Sequence, residues 1–247
     1  MKGPTRAKRP ASPRPGPPRP GPTEASYSSV LFRSRTEARW ALFFDLMGWS
    51  WDYEPCHYGL GALNYLPDFY LPDADVWVEV KGPSFLDAAS MGKVASAAAG
   101  PHPLPSRRPP YERAAAVVLV GPMPPVGPGR PVHQMVTPTG TPRVAGFSRA
   151  VWEVDGTMRA LEPKPWLTVP ATGDQPARRP TAARADEILL PAPAGRLGMH
   201  PALQRAYEEA ARVRFDDVTH QLARTTPAGL LAELALRRAG RPLGCAA

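Results

Sequence analysis

The chain has 247 residues, 34 of them proline and 21 glycine, with a formal net charge of +8. Pro and Gly crowd into particular segments, which favours one domain of ordinary size with appendages, and a hydrophobic share of 43% still permits a buried core. The basic balance points to a polyanionic partner, nucleic acid first, while the lack of any eighteen-residue apolar run or apolar leader segment argues against a membrane span or secretory signal.

Residues 1–25 consist mainly of Pro, Arg, Lys, Gly and Ala, with no acid before Glu24, and are expected to form a disordered basic arm. Such an arm either contacts phosphate without sequence preference or is an unselected polar tail. Order is expected to begin near Ser26. Ser34-Arg35-Thr36-Glu37 has the form of a capping box and predicts a helix over residues 36–47, closed by Gly48. Its stripe is Glu37, Trp40, Ala41, Phe44 and Met47, so Glu37 heads the face toward the sheet. A capping glutamate and an active-site glutamate look alike at this position, and both readings stand.

Three strands are expected next, over residues 49–58, 63–71 and 75–81. In the second, Tyr65, Pro67 and Phe69 would face one way and Leu66, Asp68 and Tyr70 the other, with Pro67 at an edge or a distortion. In the third, Val76, Val78 and Val80 alternate with Trp77, Glu79 and Lys81, so Glu79 and Lys81 share a face. If the Asp68 strand pairs alongside, its carboxylate reaches the same place. An Ala-rich helix over residues 86–99 follows, and then a continuous apolar run over 114–120, expected as a strand buried on both faces. Residues 122–142 look like a long loop, and 150–155 and 166–169 like edge strands. Residues 170–198 form a Pro/Ala/Arg-rich linker. Segment 199–240 is expected to hold two helices, over 201–224 and 227–238, that dock on the main domain or on a partner.

The chemistry of the central stretch follows from residue types. Magnesium is usually held by one or two carboxylates, with waters and substrate phosphate completing six oxygens, and Asp68 with Glu79 meet that need. Lys81 could orient or deprotonate a water, or stabilise charge on the phosphate; the residues leave those roles open. Lysine is a marked choice in a chain whose only others are Lys2, Lys8, Lys93 and Lys164, since Arg does not readily exchange a proton. Against the site, Asp68 would be a turn residue and Glu79–Lys81 an exposed ion pair of little worth. Lys93 reads as a solvated charge, and Tyr53, Tyr65, Tyr70 and Trp77 as core. The five histidines show no paired ligand spacing, and neither a phosphate-binding Gly-Lys-Ser/Thr loop nor a Gly-x-Ser-x-Gly elbow occurs. Cys56 and Cys245 form neither a disulfide framework nor a Cys-x-x-Cys zinc pattern, so a reducing cytoplasm is the expected compartment.

Pro67-Asp68 followed, after a gap of ten residues, by Glu79-Val80-Lys81 resembles the PD-(D/E)xK nuclease superfamily, within residues 34–121. It is most similar there to phage- or mobile-element-borne members and to endonuclease subunits of heteromeric transposases. The resemblance implies an α/β fold with a restriction-endonuclease-like core, a central mixed sheet flanked by helices, over residues 26–169. It places Glu37, Asp68, Glu79 and Lys81 on the catalytic positions, with Asp68, Glu79 and the Val80 carbonyl as metal ligands for Mg²⁺, Mn²⁺ substituting. The implied activity is metal-dependent hydrolysis of DNA, with RNA open. A homodimer or a phage, transposase or replication partner is also implied. Two rivals are a nuclease-fold module that binds without cutting, and an assembly subunit active only beside a partner.

Overall fold

The computed structural model describes residues 24–60, 63–82, 88–109, 111, 113–124, 129–139, 144–161, 167–170 and 198–215. The expected basic arm lies outside them apart from its last two residues, as do almost all of the linker and the helix expected over 227–238.

The described residues begin with a hairpin the sequence reading missed, β1 (Ala25–Tyr27) against β2 (Val30–Phe32). Its two turn residues, Ser28 and Ser29, both have positive φ, as in a type I′ turn, but Ser-Ser is not the Asn-Gly signal that marks one. Helix α1 (Arg35–Met47) follows and is capped at both ends as expected. The Ser34 side chain accepts from the Glu37 amide, and Gly48, at φ 72°, ends the helix with its own N–H on Asp45 and the Trp49 N–H on Phe44.

The first expected strand shrinks to β3 (Asp52–Tyr53), and the second divides. Its beginning pairs in a separate hairpin, β4 (Tyr58–Leu60) with β5 (Leu63–Tyr65), while β6 (Phe69–Leu71) joins the main sheet. Leu66, Pro67 and Asp68 lie between, so Asp68 stands just ahead of a strand and not within one. Pro67 supplies no amide to a ladder, which suits it to the break. A turn closed by the Ala74 amide on the Leu71 carbonyl leads into β7 (Val76–Val80). Then come α2 (Ala88–Ala99) and β8 (Ala116–Val120), which runs parallel to β7, the arrangement a helical crossover allows.

The long loop expected over 122–142 is corrected: it contains β9 (His133–Pro138). β10 (Val144–Trp152) is likewise no short edge strand but nine residues long, paired with β9 on one side and with β11 (Met158–Ala160) and β12 (Leu167–Pro170) on the other. The sheet order is β11-β10-β9-β8-β7-β6-β3, with β12 also on β10. Among the described strands, pairing is antiparallel except between β7 and β8. The molecule is therefore α/β with a mixed sheet.

Each face of the sheet has its own core. Val76, Val78, Val118 and Val120 pack with Phe69 and Leu71 toward α1, whereas Trp77, Val117, Leu119 and Phe147 pack with Val94, Ala95 and Ala98 of α2. Period-two alternation in β7 and β8 produces this split, because both faces are covered. α1 buries more than its stripe: Leu42 and Phe43 are buried too, with Phe43 against Tyr207 of α3 (Pro201–Arg212). No described helix is long and apolar enough to cross a membrane.

Candidate active site

The β6–β7 register pairs Phe69 with Val78, and carried one residue further it sets Asp68 opposite Glu79. Directly opposed residues of an antiparallel pair share a face and lie close together. The junction is closed by the Val80 N–H, which donates to Asp68 Oδ2 at 2.7 Å. Lys81 leaves the strand end with its own amide on the Val120 carbonyl at 2.8 Å, and its ammonium is hydrogen-bonded to Glu79 Oε1. The shared face expected for Glu79 and Lys81 is thus present, and Asp68 joins them by its placement before β6.

Glu37 approaches from the head of α1. Ser34 Oγ donates to its Oε1 at 2.7 Å, and the Arg33 amide and the Tyr53 hydroxyl donate to Oε2 at 3.1 and 2.6 Å. It is a cap and a member of the acidic group at once. Glu37, Asp68 and Glu79 are all buried, at 8%, 6% and 6% exposure. Burial first, then the charges of Glu79 and Glu37, hold the Asp68 carboxyl well above the usual carboxylate range, against the opposing pull of the Val80 N–H and Lys81.

The sequence reading missed Arg33 and gave Tyr53 and Tyr65 as core, where they do pack, but not the hydroxyls that both bring to the site. Tyr65, buried on β5, donates its hydroxyl to Glu79 Oε2 at 2.6 Å, and burial with the adjoining Glu79 charge keeps this phenol protonated well above its normal range. Tyr53, on β3, serves Glu37 in the same way, with burial the first cause of its raised pKa and the Glu37 bond the second. Arg33 is ion-paired with Glu54, and its Nη2 lies 3.5 Å from Asp68 Oδ1. A Tyr at such a place has no periodic signature that separates a core ring from a hydroxyl aimed at a carboxylate. Arg33 gave no signal either, since its approach to Asp68 depends on the missed hairpin. Lys93 is exposed, as expected of a solvated charge.

The fit to a divalent cation rests on donor type and charge. Asp68 Oδ2 accepts the Val80 N–H at 2.7 Å, while Oδ1 lies 3.5 Å from the Arg33 guanidinium, too long for a good hydrogen bond. Oxygen donors with excess negative charge suit a hard cation, and magnesium needs only one or two carboxylates. Among the described residues, no group of three His, Cys, Asp or Glu side chains forms a metal-holding cluster by itself. Val80 brings its amide to the site, on Asp68 Oδ2.

No family model, curated protein or solved structure matches the chain.

Proposed function

We propose that the protein is a metal-dependent endonuclease with a restriction-endonuclease-like core, hydrolysing phosphodiester bonds of DNA. The observation that carries this reading is the junction of Asp68 with the Glu79-Val80-Lys81 strand end through the 2.7 Å Val80 bond. The element order supports it: a capped helix, three antiparallel strands of the main sheet, a helix and a parallel strand.

Asp68 and Glu79 would hold Mg²⁺, or Mn²⁺ in its place, and the ion when bound would acidify a water and offset charge on the phosphate. Tyr65 and Lys81 grip the two oxygens of Glu79 and fix its orientation, as partners of ligating carboxylates do. The Lys81 ammonium has three N–H donors and uses one on Glu79, leaving two for the attacking water or the phosphate oxygens. Glu37, tied to Ser34 and Tyr53, adds negative charge that strengthens cation binding at Asp68.

Incubating the purified protein with plasmid and Mg²⁺ or Mn²⁺ tests the proposal. Cleavage lost in Asp68→Ala and Lys81→Ala is the expected result; cleavage surviving both substitutions overturns the site. The rival reading, a nuclease-fold module that binds without cutting, draws on the engagement of Glu37 and Glu79 by protein donors. DNA binding with a steep salt dependence and no cation binding would favour it.

A further inference from the structure

Arg33 stands where the acidic group meets solvent. Its side chain is 56% exposed, yet its guanidinium is ion-paired with Glu54 and 3.5 Å from Asp68 Oδ1. The backbone holds it there from two directions. The Arg33 amide is bonded to Glu37 and to the Tyr53 hydroxyl, and Glu54, at φ 43°, places its own amide on the Asp68 carbonyl at 2.9 Å. Glu54 therefore moves with Asp68, and Arg33 with Glu37. A positive φ is uncommon outside Gly, Asn and Asp, so the Glu54 backbone is held in an unfavourable conformation that keeps its side chain under Arg33.

The charges explain what such a residue does. Around Asp68 stand Glu37, Glu54 and Glu79 against two cations, Lys81 and Arg33. Lys81 is mostly buried and bonded to Glu79; Arg33 reaches water with its planar fork of five donors. A phosphodiester approaching this much acid is repelled unless a cation meets it first. An arginine fork suits a phosphate bidentately, and it would do so within reach of Asp68.

We propose that Arg33 is the phosphate-contacting residue of this site, positioning the backbone of the bound strand over Asp68; the assignment rests on the nuclease reading above. It implies two effects of opposite sign from one substitution. Arg33→Ala removes a positive charge beside Asp68, so a divalent cation binds more tightly, while a nucleic acid loses a phosphate contact and binds more weakly.

Both effects are measured without turnover. Mn²⁺ binding to the full chain without DNA is followed by calorimetry. Binding of a labelled 30-base-pair duplex in Ca²⁺ is followed by anisotropy across a salt series. Arg33→Ala is expected to bind Mn²⁺ several-fold more tightly and to lower the salt slope of duplex binding by about one. Arg33→Lys, which keeps the charge but not the fork, should retain the slope and lose part of the affinity. An unchanged salt slope in a folded Arg33→Ala protein, or weaker Mn²⁺ binding, overturns the assignment of Arg33 alone. A wild-type chain that binds neither Mn²⁺ nor duplex overturns the nuclease reading and this assignment with it.

Discussion

At Asp68 the chain buries a carboxyl beside two others, which favours the protonated form. Its pKa is raised in the folded protein, so the stability it contributes is full below the ordinary value of 3.8 and is lost as pH rises through the raised value. Asp68→Asn, which keeps an acceptor without the charge, should therefore melt higher than wild type at neutral pH, and the difference should shrink toward pH 4. On the nuclease proposal the same variant, short of one cation-holding charge, should cleave more slowly, giving the trade between stability and activity expected where like charges are forced together. Thermal melts across pH, alongside plasmid cleavage, check both halves. Mn²⁺ should raise the melting temperature of wild type and leave that of Asp68→Asn nearly unchanged. Tyr65→Phe asks a separate question. It frees Glu79 Oε2 within a buried setting, and a lost buried partner costs about 1–3 kcal/mol, so a lower denaturation midpoint should accompany weaker Mn²⁺ binding.

The head of α1 serves as helix cap and site wall together, so the two roles of Glu37 are separable only by comparison. Ser34→Ala removes the hydroxyl that accepts from the Glu37 amide and donates to its carboxylate, and loss of such a cap costs about 1 kcal/mol. Glu37→Gln keeps acceptors for Arg33 and Tyr53 but removes the charge. If Glu37 works only as a cap, urea denaturation and cleavage should fall together in both variants; if its charge assists cation binding, Glu37→Gln should lose cleavage beyond what its stability change explains. At the other end of the chain, α3 lays Leu203, Ala206, Tyr207 and Ala210 into the core shared with Trp40 and Phe43. A truncation after Val169 would uncover these aromatic rings, so an intact fold is not expected from it. Tyr207→Ala should destabilise by about 3–5 kcal/mol, measured by the shift in denaturant midpoint.

For the molecule as a whole, His133 links α3, β9 and α1. It is fully buried, its Nε2 shares a 2.8 Å hydrogen bond with the Tyr207 hydroxyl, and its ring meets Trp40 edge-on. Burial lowers its pKa to about 3. The unfolded chain therefore takes up a proton near pH 6.5 that the folded one refuses until about pH 3, and stability should fall as pH drops through that window, with a slope of about 1.4 kcal/mol per pH unit from this group. Replacing His133 with Gln should remove this contribution from a denaturation profile. Asp68 acts in the opposite direction, so where the two windows overlap their slopes offset each other in wild type, either single change exposes the slope of the other group, and the double change removes both.

Local rules were enough for several parts. The capping box and Gly48 bounded α1 because caps are short-range hydrogen bonds. The alternation in β7 put Glu79 beside Lys81 because strand side chains repeat every two residues, and the apolar run of β8 announced a strand covered on both faces. The acidic cluster was legible in part, since spacing along the chain set Asp68 one strand away from Glu79. What local pattern could not decide was pairing between distant segments. Two positive-φ serines closed a hairpin without the usual turn residues, and Pro67 divided one expected strand between two sheets. β9 and β10 emerged from a segment read largely as loop, because their partners across the sheet stabilise them more than their own propensities do. Arg33, Glu54 and Tyr65 reach the site only through those pairings. The sequence by itself determined which acids and which lysine stand together at the strand end, and the tertiary structure alone decided what surrounds them, because neighbours brought from other elements set the burial and charge that each group feels.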